Sequence, residues 1–289
     1  MKPRVTAVFE GGGIRGIALT GAAAATLDAG LEFGQVIGTS AGAIVASLIA
    51  AGFDSSELRK TAVETDWPRL SGDSGFLKKN LSMVTRLGFH SGHRLQTVIR
   101  SNMRTKGIRT FADLPRDALK VVVTDLTHGR GMVFPDDLES IGHDRDSFSV
   151  AKAVRISASV PFLFTPVRLR DHITGEELVM ADGAMAARFP VQLAPREPLS
   201  IGFRLGALDD AHNHYKIKGP VSLATAVIAS GITARDALPL VCGPLDGVIE
   251  VDAPHDPLDF DVDPAQAAEL FESGYRSTVG QLAALNYVA

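Results

Sequence analysis

A serine flanked by two glycines lies between two apolar stretches near the start of the chain. The segment Gly38–Gly42 (Gly-Thr-Ser-Ala-Gly) follows Val36–Ile37 and precedes the apolar run Ala41–Ala51. This context is typical of a nucleophile elbow, a tight strand-to-helix turn that exposes a serine hydroxyl. The free N–H groups and the positive dipole end of the following helix would then point at Ser40. A serine that only caps the helix after an ordinary turn would give the same local pattern.

A glycine-rich loop, Gly11–Gly16 (Gly-Gly-Gly-Ile-Arg-Gly), lies upstream of the serine, between a predicted strand and a predicted helix. Consecutive glycines adopt backbone conformations that other residues avoid, so they can aim several N–H groups into one concavity. In a hydrolase these groups form an oxyanion hole, and each donor is worth about 3–4 kcal/mol in the transition state. The loop also matches the GxGxxG dinucleotide fingerprint through Gly11, Gly13 and Gly16, with Glu32 near the end of the second predicted strand.

An Asp-Gly pair provides a third candidate segment. Asp182 and Gly183, followed by Ala184, come directly after the apolar run Leu178–Ala181. An aspartate at the carboxyl end of a strand lies where the other two loops could converge, since parallel sheets bind ligands at that edge. A carboxylate within hydrogen-bond reach of a serine can accept its proton, and burial would raise its pKa from about 4 towards neutral pH. Asp-Gly is also a common turn pair, which is the alternative for this segment.

Short apolar runs alternate with helical segments along the chain. The predicted strands are Val5–Phe9, Val36–Ile37, Lys120–Thr124, Leu178–Ala181, Ser200–Leu205 and Val248–Val251. The predicted helices are Arg15–Ala29, Ala41–Ala51, Ser55–Thr65 after the cap Asp54, Ser149–Ile156, and a last helix from the Asp263-Pro264 pair to about Leu285. This alternation predicts an α/β fold with a mainly parallel central sheet that is covered on both faces.

The composition is that of an ordinary globular protein. The 289 residues are 45% hydrophobic and 21% charged, and the formal net charge of -4 gives no reason to expect nucleic acid as a partner. The single cysteine, Cys242, cannot form an internal disulfide, and the eight histidines show no metal-ligand spacing. The most apolar stretch, Ala41–Ala51, is about half as long as a membrane-spanning helix, and the N-terminal apolar run is too short for a secretory signal. We therefore expect a soluble, cytoplasmic protein that touches membrane surfaces only transiently.

The order of these segments is more specific than any one of them. The glycine loop, the serine elbow and the Asp-Gly pair follow one another, and a fourth segment, Ala158–Phe162 (Ala-Ser-Val-Pro-Phe), precedes the aspartate. In this order the segments resemble the patatin-like phospholipase family, which has a Ser-x-x-Pro segment ahead of its aspartate. The resemblance extends from Val5 to Asp182, and more loosely to the last helix. It implies a three-layer α/β/α architecture in a single domain, residues 1–289, with the core motifs in residues 5–190.

The resemblance also implies roles for individual residues. The family uses a Ser-Asp dyad without histidine, which makes Ser40 the nucleophile and Asp182 its base. The implied oxyanion hole comprises Gly11, Gly12, Gly13, Arg15, Gly16 and Ala41. The implied motif positions around the dyad are Gly38, Gly42, Gly183 and Ala184. Glu10 stands where the family often has aspartate. The implied activity is release of fatty acids from phospholipid, lysophospholipid or related acyl esters through an acyl-serine intermediate, with no metal or organic cofactor.

Two other functions stay open at this point. A dinucleotide-binding oxidoreductase would use the glycine loop for a pyrophosphate and leave Ser40 and Asp182 idle. A non-catalytic relative would bind lipid without turnover. Arg15 could either neutralise a phosphate or hold the glycine loop in shape. The apolar residues in Trp67–Phe89, interleaved with basic ones, predict an amphipathic cover over the site, a membrane-touching face, or ordinary core with a wet face.

Overall fold

The computed structural model describes residues 3–71, 88–196, 199–206, 226–227, 230 and 245–284. Its strands are β1 (Arg4–Phe9), β2 (Glu32–Thr39), β3 (Gly88–His90), β4 (Leu119–Asp125), β5 (Arg130–Phe134), β6 (Phe162–Phe164), β7 (Val167–Arg170), β8 (Glu177–Asp182), β9 (Ser200–Leu205) and β10 (Gly247–Val251). Its helices are α1 (Gly16–Asp28), α2 (Ala41–Ala50), α3 (Ser55–Glu64), α4 (Trp67–Ser71), α5 (His93–Thr105), α6 (Val150–Ser157), α7 (Ala184–Ala187) and α8 (Pro264–Ala284). Short 3₁₀ turns occupy Gly13–Arg15, Phe111–Asp113, Glu139–Ile141 and Val191–Leu193.

The central sheet contains eight strands, in the order β10-β9-β1-β2-β4-β8-β7, with β5 also paired to β4. The neighbours from β10 to β4 are parallel, whereas the pairs β4–β5, β4–β8 and β8–β7 are antiparallel. β3 and β6 form a separate two-stranded parallel sheet. The predicted α/β fold with a mainly parallel sheet is confirmed, and its antiparallel pairs lie together on one side.

The two faces of the sheet bury different residues of the same strands. Ala7 and Phe9 of β1 belong to the large core that includes apolar residues of α1, α2 and α8. Val8 of β1 and Ile37 of β2 point to the other face, where they pack in a smaller cluster with residues of segment 189–194. Because successive side chains of a strand alternate between faces, this period of two covers both sides of the sheet.

α1 and α8 approach each other closely because glycines lie at their contact. A Cβ atom at Gly21 of α1 would overlap the carbonyl oxygen of Phe271, and a Cβ atom at Gly274 of α8 would overlap that of Ala18. Small residues in α1 thus allow dense packing, and its residues Gly16–Thr26 are all buried. This packing fixes the helix that directly follows the glycine loop.

Several details of the predicted helices can be compared with the structure. Asp54 caps α3 through a reciprocal pair of hydrogen bonds with Glu57, as expected for a capping box. Residues 72–87, most of the predicted amphipathic cover, lie outside the described residues, as does Leu285, the predicted end of the last helix. Within the described ranges, no helix combines the length and the apolar character needed to cross a bilayer.

β2 and β8 meet end to end along one edge of β4. Thr39, at the end of β2, pairs with Val122 of β4, and the next residue of β4, Val123, pairs with Asp182 at the end of β8. β5 pairs with the same residues of β4 from the opposite edge, so β2 and β8 must share the remaining one. The carboxyl ends of the two strands therefore lie next to each other.

The direction of the strand that brings Asp182 next to Ser40 differs from the one that the sequence suggested. The expectation was a shared carboxyl edge of parallel strands, but β8 runs antiparallel to β4. Asp182 arrives beside β2 because β8 points towards β2 and stops where β2 ends. The convergence was predicted, whereas the strand direction that produces it was not.

Candidate active site

Ser40 lies in a tight turn between β2 and α2. Its backbone angles are φ 54° and ψ -120°, a combination that residues with side chains rarely adopt. The turn requires glycine on both sides, since a Cβ atom at Gly38 would overlap the backbone of Gly42, and one at Gly42 would overlap the carbonyl oxygen of Phe9. This is the geometry of a nucleophile elbow.

The hydroxyl of Ser40 is hydrogen-bonded directly to a carboxylate. Ser40 Oγ donates to Asp182 Oδ2 at 2.6 Å, and Asp182 Oδ1 accepts the N–H of Ala184 at 2.8 Å. Both residues are buried, with Ser40 5% and Asp182 2% exposed. Within the described part of the chain, no histidine forms a hydrogen bond with either of them. The structure therefore brings the two sequence-predicted dyad residues into direct contact.

Burial changes the acid–base behaviour of Asp182. Loss of solvent raises the pKa of its carboxyl from 3.8 to about 6, although the hydrogen bonds from Ser40 and Ala184 lower it. A carboxylate with a pKa near 6 is still ionised at neutral pH, yet it accepts a proton more readily than an exposed one. This value suits a general base that works near neutral pH.

The carboxyl-terminal end of α6 supports both dyad residues. Ser157 Oγ accepts the backbone N–H of Ser40 at 2.8 Å and donates to the carbonyl of Val122 at 2.6 Å. The carbonyl of Ser159 accepts the backbone N–H of Asp182 at 3.1 Å. The segment Ala158–Phe162, which the family resemblance singled out, therefore begins directly beneath the dyad. Sequence reasoning missed Ser157, whose signal was a polar residue at the end of an apolar helical run.

The glycine loop passes beside the nucleophile. A Cβ atom at Gly11 would lie 3.2 Å from the Cβ of Ser40. The N–H groups of Gly11, Ile14 and Arg15 donate to the carbonyls of Arg188, Pro257 and Gly12, respectively. The N–H of Gly16 donates to the carbonyls of Gly13 and Ile14. The N–H groups of Gly12, Gly13 and Ala41 have no acceptor among the described residues. Of the loop and elbow N–H groups named above, these three are therefore not used by the hydrogen bonds of the fold in the described residues.

Arg15 is part of the scaffold of the loop. Its side chain is buried, and Nε donates to the carbonyl of Ala253 at 2.9 Å while another guanidinium nitrogen donates to that of Gly206. Desolvation lowers its pKa, partly offset by the nearby carboxylate of Glu10. Of the two roles that the sequence allowed, holding the loop is the one that its contacts support.

Glu10, directly before the glycines, is a second anchor of the loop. Its carboxylate accepts the N–H of Leu205 at 2.5 Å and forms an ion pair with Arg188 at 2.7 Å. Arg188 also accepts the N–H of Gly11 through its carbonyl, so one residue fixes the loop by side chain and backbone. Sequence reasoning did not identify Arg188, because nothing in its neighbourhood indicates that it returns to the first strand.

The dinucleotide interpretation of the loop is wrong because Glu32, the acidic residue that it requires, lies in the wrong place. Glu32 is the first residue of β2 and not near its end, so it lies at the opposite edge of the sheet from the glycine loop. Its carboxylate lies near Arg4, at 3.8 Å from the guanidinium Nε. An acidic residue that binds a ribose must follow the strand, at the same edge as the pyrophosphate loop. The GxGxxG match is therefore incidental.

His90 and His93 form no hydrogen bond with Ser40 or Asp182 in the part of the chain that the structure describes. His90 in β3 is buried, and its ring lies 6.3 Å from that of Phe164, centroid to centroid. His93 begins α5 and is exposed. Among the described residues, no group of three or more His, Cys, Asp or Glu side chains could hold a metal ion.

Known proteins with similar sequences share the region that contains the site. The family model of the patatin-like phospholipases matches residues 7–195. The uncharacterized protein YqhO of Bacillus subtilis (strain 168) is 37% identical over 241 residues, which are 81% of this chain and 82% of that protein. The uncharacterized protein R571 of Acanthamoeba polyphaga mimivirus is 27% identical over 192 residues, 64% of this chain and 59% of that protein.

Solved structures show a similar fold. VipD from Legionella pneumophila superposes with a TM-score of 0.56 at 17% identity, over 98% of this chain and 67% of VipD. The type III effector protein ExoU gives a TM-score of 0.50 at 17% identity, over 98% of this chain and 54% of ExoU. The family match extends over well more than half of the sequence and includes every site segment from Gly11 to Ala184. The chain therefore belongs to the patatin-like phospholipase family.

Proposed function

We propose that the protein hydrolyses fatty acyl esters of lipids, with phospholipid or lysophospholipid as the substrate class. The observation that supports this most directly is the 2.6 Å hydrogen bond from Ser40 Oγ to the buried carboxylate of Asp182. Membership of a phospholipase family supports lipid hydrolysis as the general activity. Lipid esters are presented at membranes or micelles, so the proposal includes transient contact with a lipid surface.

The reaction would proceed in two halves. Asp182 accepts the proton of Ser40 as Oγ attacks the ester carbonyl, which forms a tetrahedral intermediate with a negatively charged oxygen. The N–H groups of Gly12, Gly13 and Ala41 would donate to that oxygen, assisted by the positive end of α2. The intermediate collapses, the alcohol leaves with the proton from Asp182, and the acyl group remains on Ser40.

The second half removes the acyl group. Asp182, again ionised, accepts a proton from a water molecule that attacks the acyl-Ser40 carbonyl. The same donors stabilise the second oxyanion, and its collapse returns the proton to Ser40 and releases the fatty acid. A raised pKa is useful in both halves, because Asp182 must accept and then return a proton in each. No further group is needed to balance the protons.

A lipid panel tests the proposal. The purified protein is incubated with vesicles or micelles of phospholipids, lysophospholipids and acylglycerols, and released fatty acids are identified by mass spectrometry. Ser40→Ala and Asp182→Asn proteins serve as controls for contaminating lipases. Fatty acid release by the wild type and by neither variant is the expected result. Release that continues unchanged in Ser40→Ala protein would contradict the proposal, and vesicle binding without any release would favour a non-catalytic lipid-binding protein.

A further inference from the structure

The hydroxyl of Ser157 has both of its hydrogen-bonding roles filled by the backbone next to the dyad. It accepts from the N–H of Ser40 at 2.8 Å and donates to the carbonyl of Val122 at 2.6 Å. Ser157 is 0% exposed, so water does not replace either partner. Val122 is also the β4 residue that pairs with Thr39, so the bridge joins the elbow to the strand beside it.

The same residue also contacts the flank of the base. The carbonyl of Ser157 accepts the N–H of Gly183 at 3.2 Å, directly after Asp182. Two residues further on, the carbonyl of Ser159 accepts the N–H of Asp182 itself at 3.1 Å. Nucleophile and base come from strands that do not pair with each other, and the end of α6 connects their backbones.

The end of α6 is itself held rigidly from the far side. The buried guanidinium of Arg155 donates to the carbonyls of Gly92, Ser91 and Thr165 and to the hydroxyl of Ser159. Burial lowers the pKa of Arg155 to about 10, which reflects a cation surrounded by neutral acceptors. Such a desolvated guanidinium is stable only while all these acceptors stay in place. The segment 155–159 is therefore a rigid support for the backbone N–H groups of Ser40, Asp182 and Gly183 that it binds.

The backbone of the elbow needs a rigid support of this kind. Ser40 has φ 54°, and a residue with a side chain stays in this region only when its surroundings determine it. We infer that Ser157 is a positioning residue, whose hydroxyl holds the backbone of Ser40 so that Oγ reaches the carboxylate of Asp182. The inference rests on the proposed function, since the distance it sets is that of the dyad.

Ser157→Ala and a matched control test the inference. Ser47 is also a buried serine, on the helix that follows Ser40, but its hydroxyl donates only to the carbonyl of Ile44 at 2.7 Å. Ser157→Ala is expected to lower kcat by about 10- to 100-fold with KM changed less than about twofold, because misplacement by a fraction of an ångström affects the transition state most. Ser47→Ala is expected to keep kcat within about twofold.

The pH profile separates positioning from a loss of folding. The hydrogen bond from Ser40 lowers the pKa of Asp182. If Ser157→Ala moves Ser40 out of reach, this bond is lost and the acid limb of kcat/KM moves to higher pH, whereas a smaller folded fraction leaves the midpoint unchanged. Ser157→Cys keeps nearly the volume of serine but is a weak hydrogen-bond partner, so it should behave like Ser157→Ala. This second variant keeps the test valid if the alanine protein is too unstable to assay.

The rate of labelling by a fluorophosphonate probe gives a readout that does not depend on the natural substrate. Labelling of Ser40 should slow in Ser157→Ala and Ser157→Cys by the same factor as kcat. Equal kcat, labelling rate and acid limb in Ser157→Ala and Ser47→Ala would overturn the positioning role while leaving the proposed function intact. Labelling of wild-type Ser40 without turnover of any lipid ester would instead contradict the proposed function, and the labelling rates would still test Ser157. Absence of labelling in the wild type would overturn both.

Discussion

The proposed nucleophile and the proposed base are held by two different kinds of structure. Ser40 lies on the parallel side of the sheet, where the elbow and the glycine loop are shaped by backbone approaching backbone at Gly38 and Gly42. Asp182 lies at the end of an antiparallel strand, and its position is set by hydrogen bonds to Ser159, Thr124 and Ala184. The first side depends mainly on glycines where backbone segments cross, and the second mainly on specific donors and acceptors.

This difference separates the expected effects of mutations. A side chain added at Gly38 or Gly42 must displace backbone, so folding and activity should suffer together. On the base side, removing one polar atom leaves the packing nearly unchanged, so activity and its pH dependence should change first. The predictions below use this contrast, in order of decreasing effect.

The largest effect is expected from the base itself. Asp182→Asn keeps the shape of the side chain but cannot accept a proton, so kcat/KM should fall by about 10⁴-fold or more, as should that of Ser40→Ala. The measurement is steady-state hydrolysis of a lipid ester or of a chromogenic acyl ester, with folding checked by circular dichroism. An Asp182→Asn enzyme that retains more than about a tenth of wild-type kcat/KM would mean that Asp182 is not the catalytic base.

Asp182→Asn, which should lower activity, should raise the free energy of unfolding relative to the wild type at neutral pH. Because the folded-state pKa of Asp182 is raised from 3.8 to about 6, its protonated form stabilises the fold at low pH, and this contribution is lost as the pH rises through about 6. Asp182→Asn removes that loss. Urea unfolding at about pH 3.5, below the unfolded-state pKa, and at about pH 7.5, above the folded-state pKa, should show the variant gaining free energy of unfolding relative to the wild type at the higher pH. A pH-independent difference would mean that the carboxyl is not desolvated.

The contrast between the two sides also explains how much the sequence could predict. Glycine spacing indicates backbone crowding directly, so the elbow and the loop were predicted from Gly38, Gly42 and Gly11–Gly16. The antiparallel direction of β8 was not predictable from its apolar run, because a buried strand shows the same pattern in either direction. Ser157 was missed for a related reason, since its role depends on a contact between residues 117 positions apart.

The third prediction concerns the proposed oxyanion donors on the glycine side. A Cβ atom at Gly12 would overlap Cδ1 of Leu205, the end of a side chain that can move, whereas one at Gly13 would overlap the carbonyl of Pro257 at a positive φ of 59°. Gly12→Ala should therefore fold, but the shift of the loop that accommodates the Cβ atom should turn its N–H groups away from the oxyanion and lower kcat by about 10²–10³-fold, with a smaller effect on KM. Gly13→Ala should lose both kcat and thermal stability. A Gly12→Ala enzyme with normal kcat would show that the loop keeps its donor geometry without glycine at this position.

The fourth prediction concerns the acid limb of the pH–rate profile. In the proposed mechanism the ionised form of Asp182 is the base, so kcat/KM should fall as the pH drops below about 6, by tenfold for each further unit. Above that range the rate should level off as the carboxyl becomes fully ionised. Rates measured between about pH 4 and about pH 8 in buffers of constant ionic strength check this, and a limb centred near the ordinary pKa of 3.8 would show that the carboxyl is solvated during turnover.

The smallest effect is expected from the histidines, and it decides what the acid limb means. An imidazole base would also titrate near pH 6.5, so the midpoint alone does not distinguish a Ser-Asp dyad from a Ser-His-Asp triad. Each of the eight histidines in the sequence is therefore replaced by glutamine, and kcat/KM is compared with that of Asp182→Asn. The described ones include His90, beside Phe164, and His143, whose Nε2 lies 2.8 Å from the carbonyl of Arg170.

None of these histidine variants should lose more than about threefold in kcat/KM, because neither Ser40 nor Asp182 has a histidine partner in the described part of the chain. Losses of thermal stability are compatible with this outcome, since a buried ring or a broken hydrogen bond contributes about 1 kcal/mol to folding and nothing to proton transfer. One folded histidine variant as inactive as Ser40→Ala would replace the dyad with a triad. It would also mean that the base side of the site is held by three residues, and that the direct contact between Ser40 and Asp182 belongs to a resting state in which the imidazole has not yet entered.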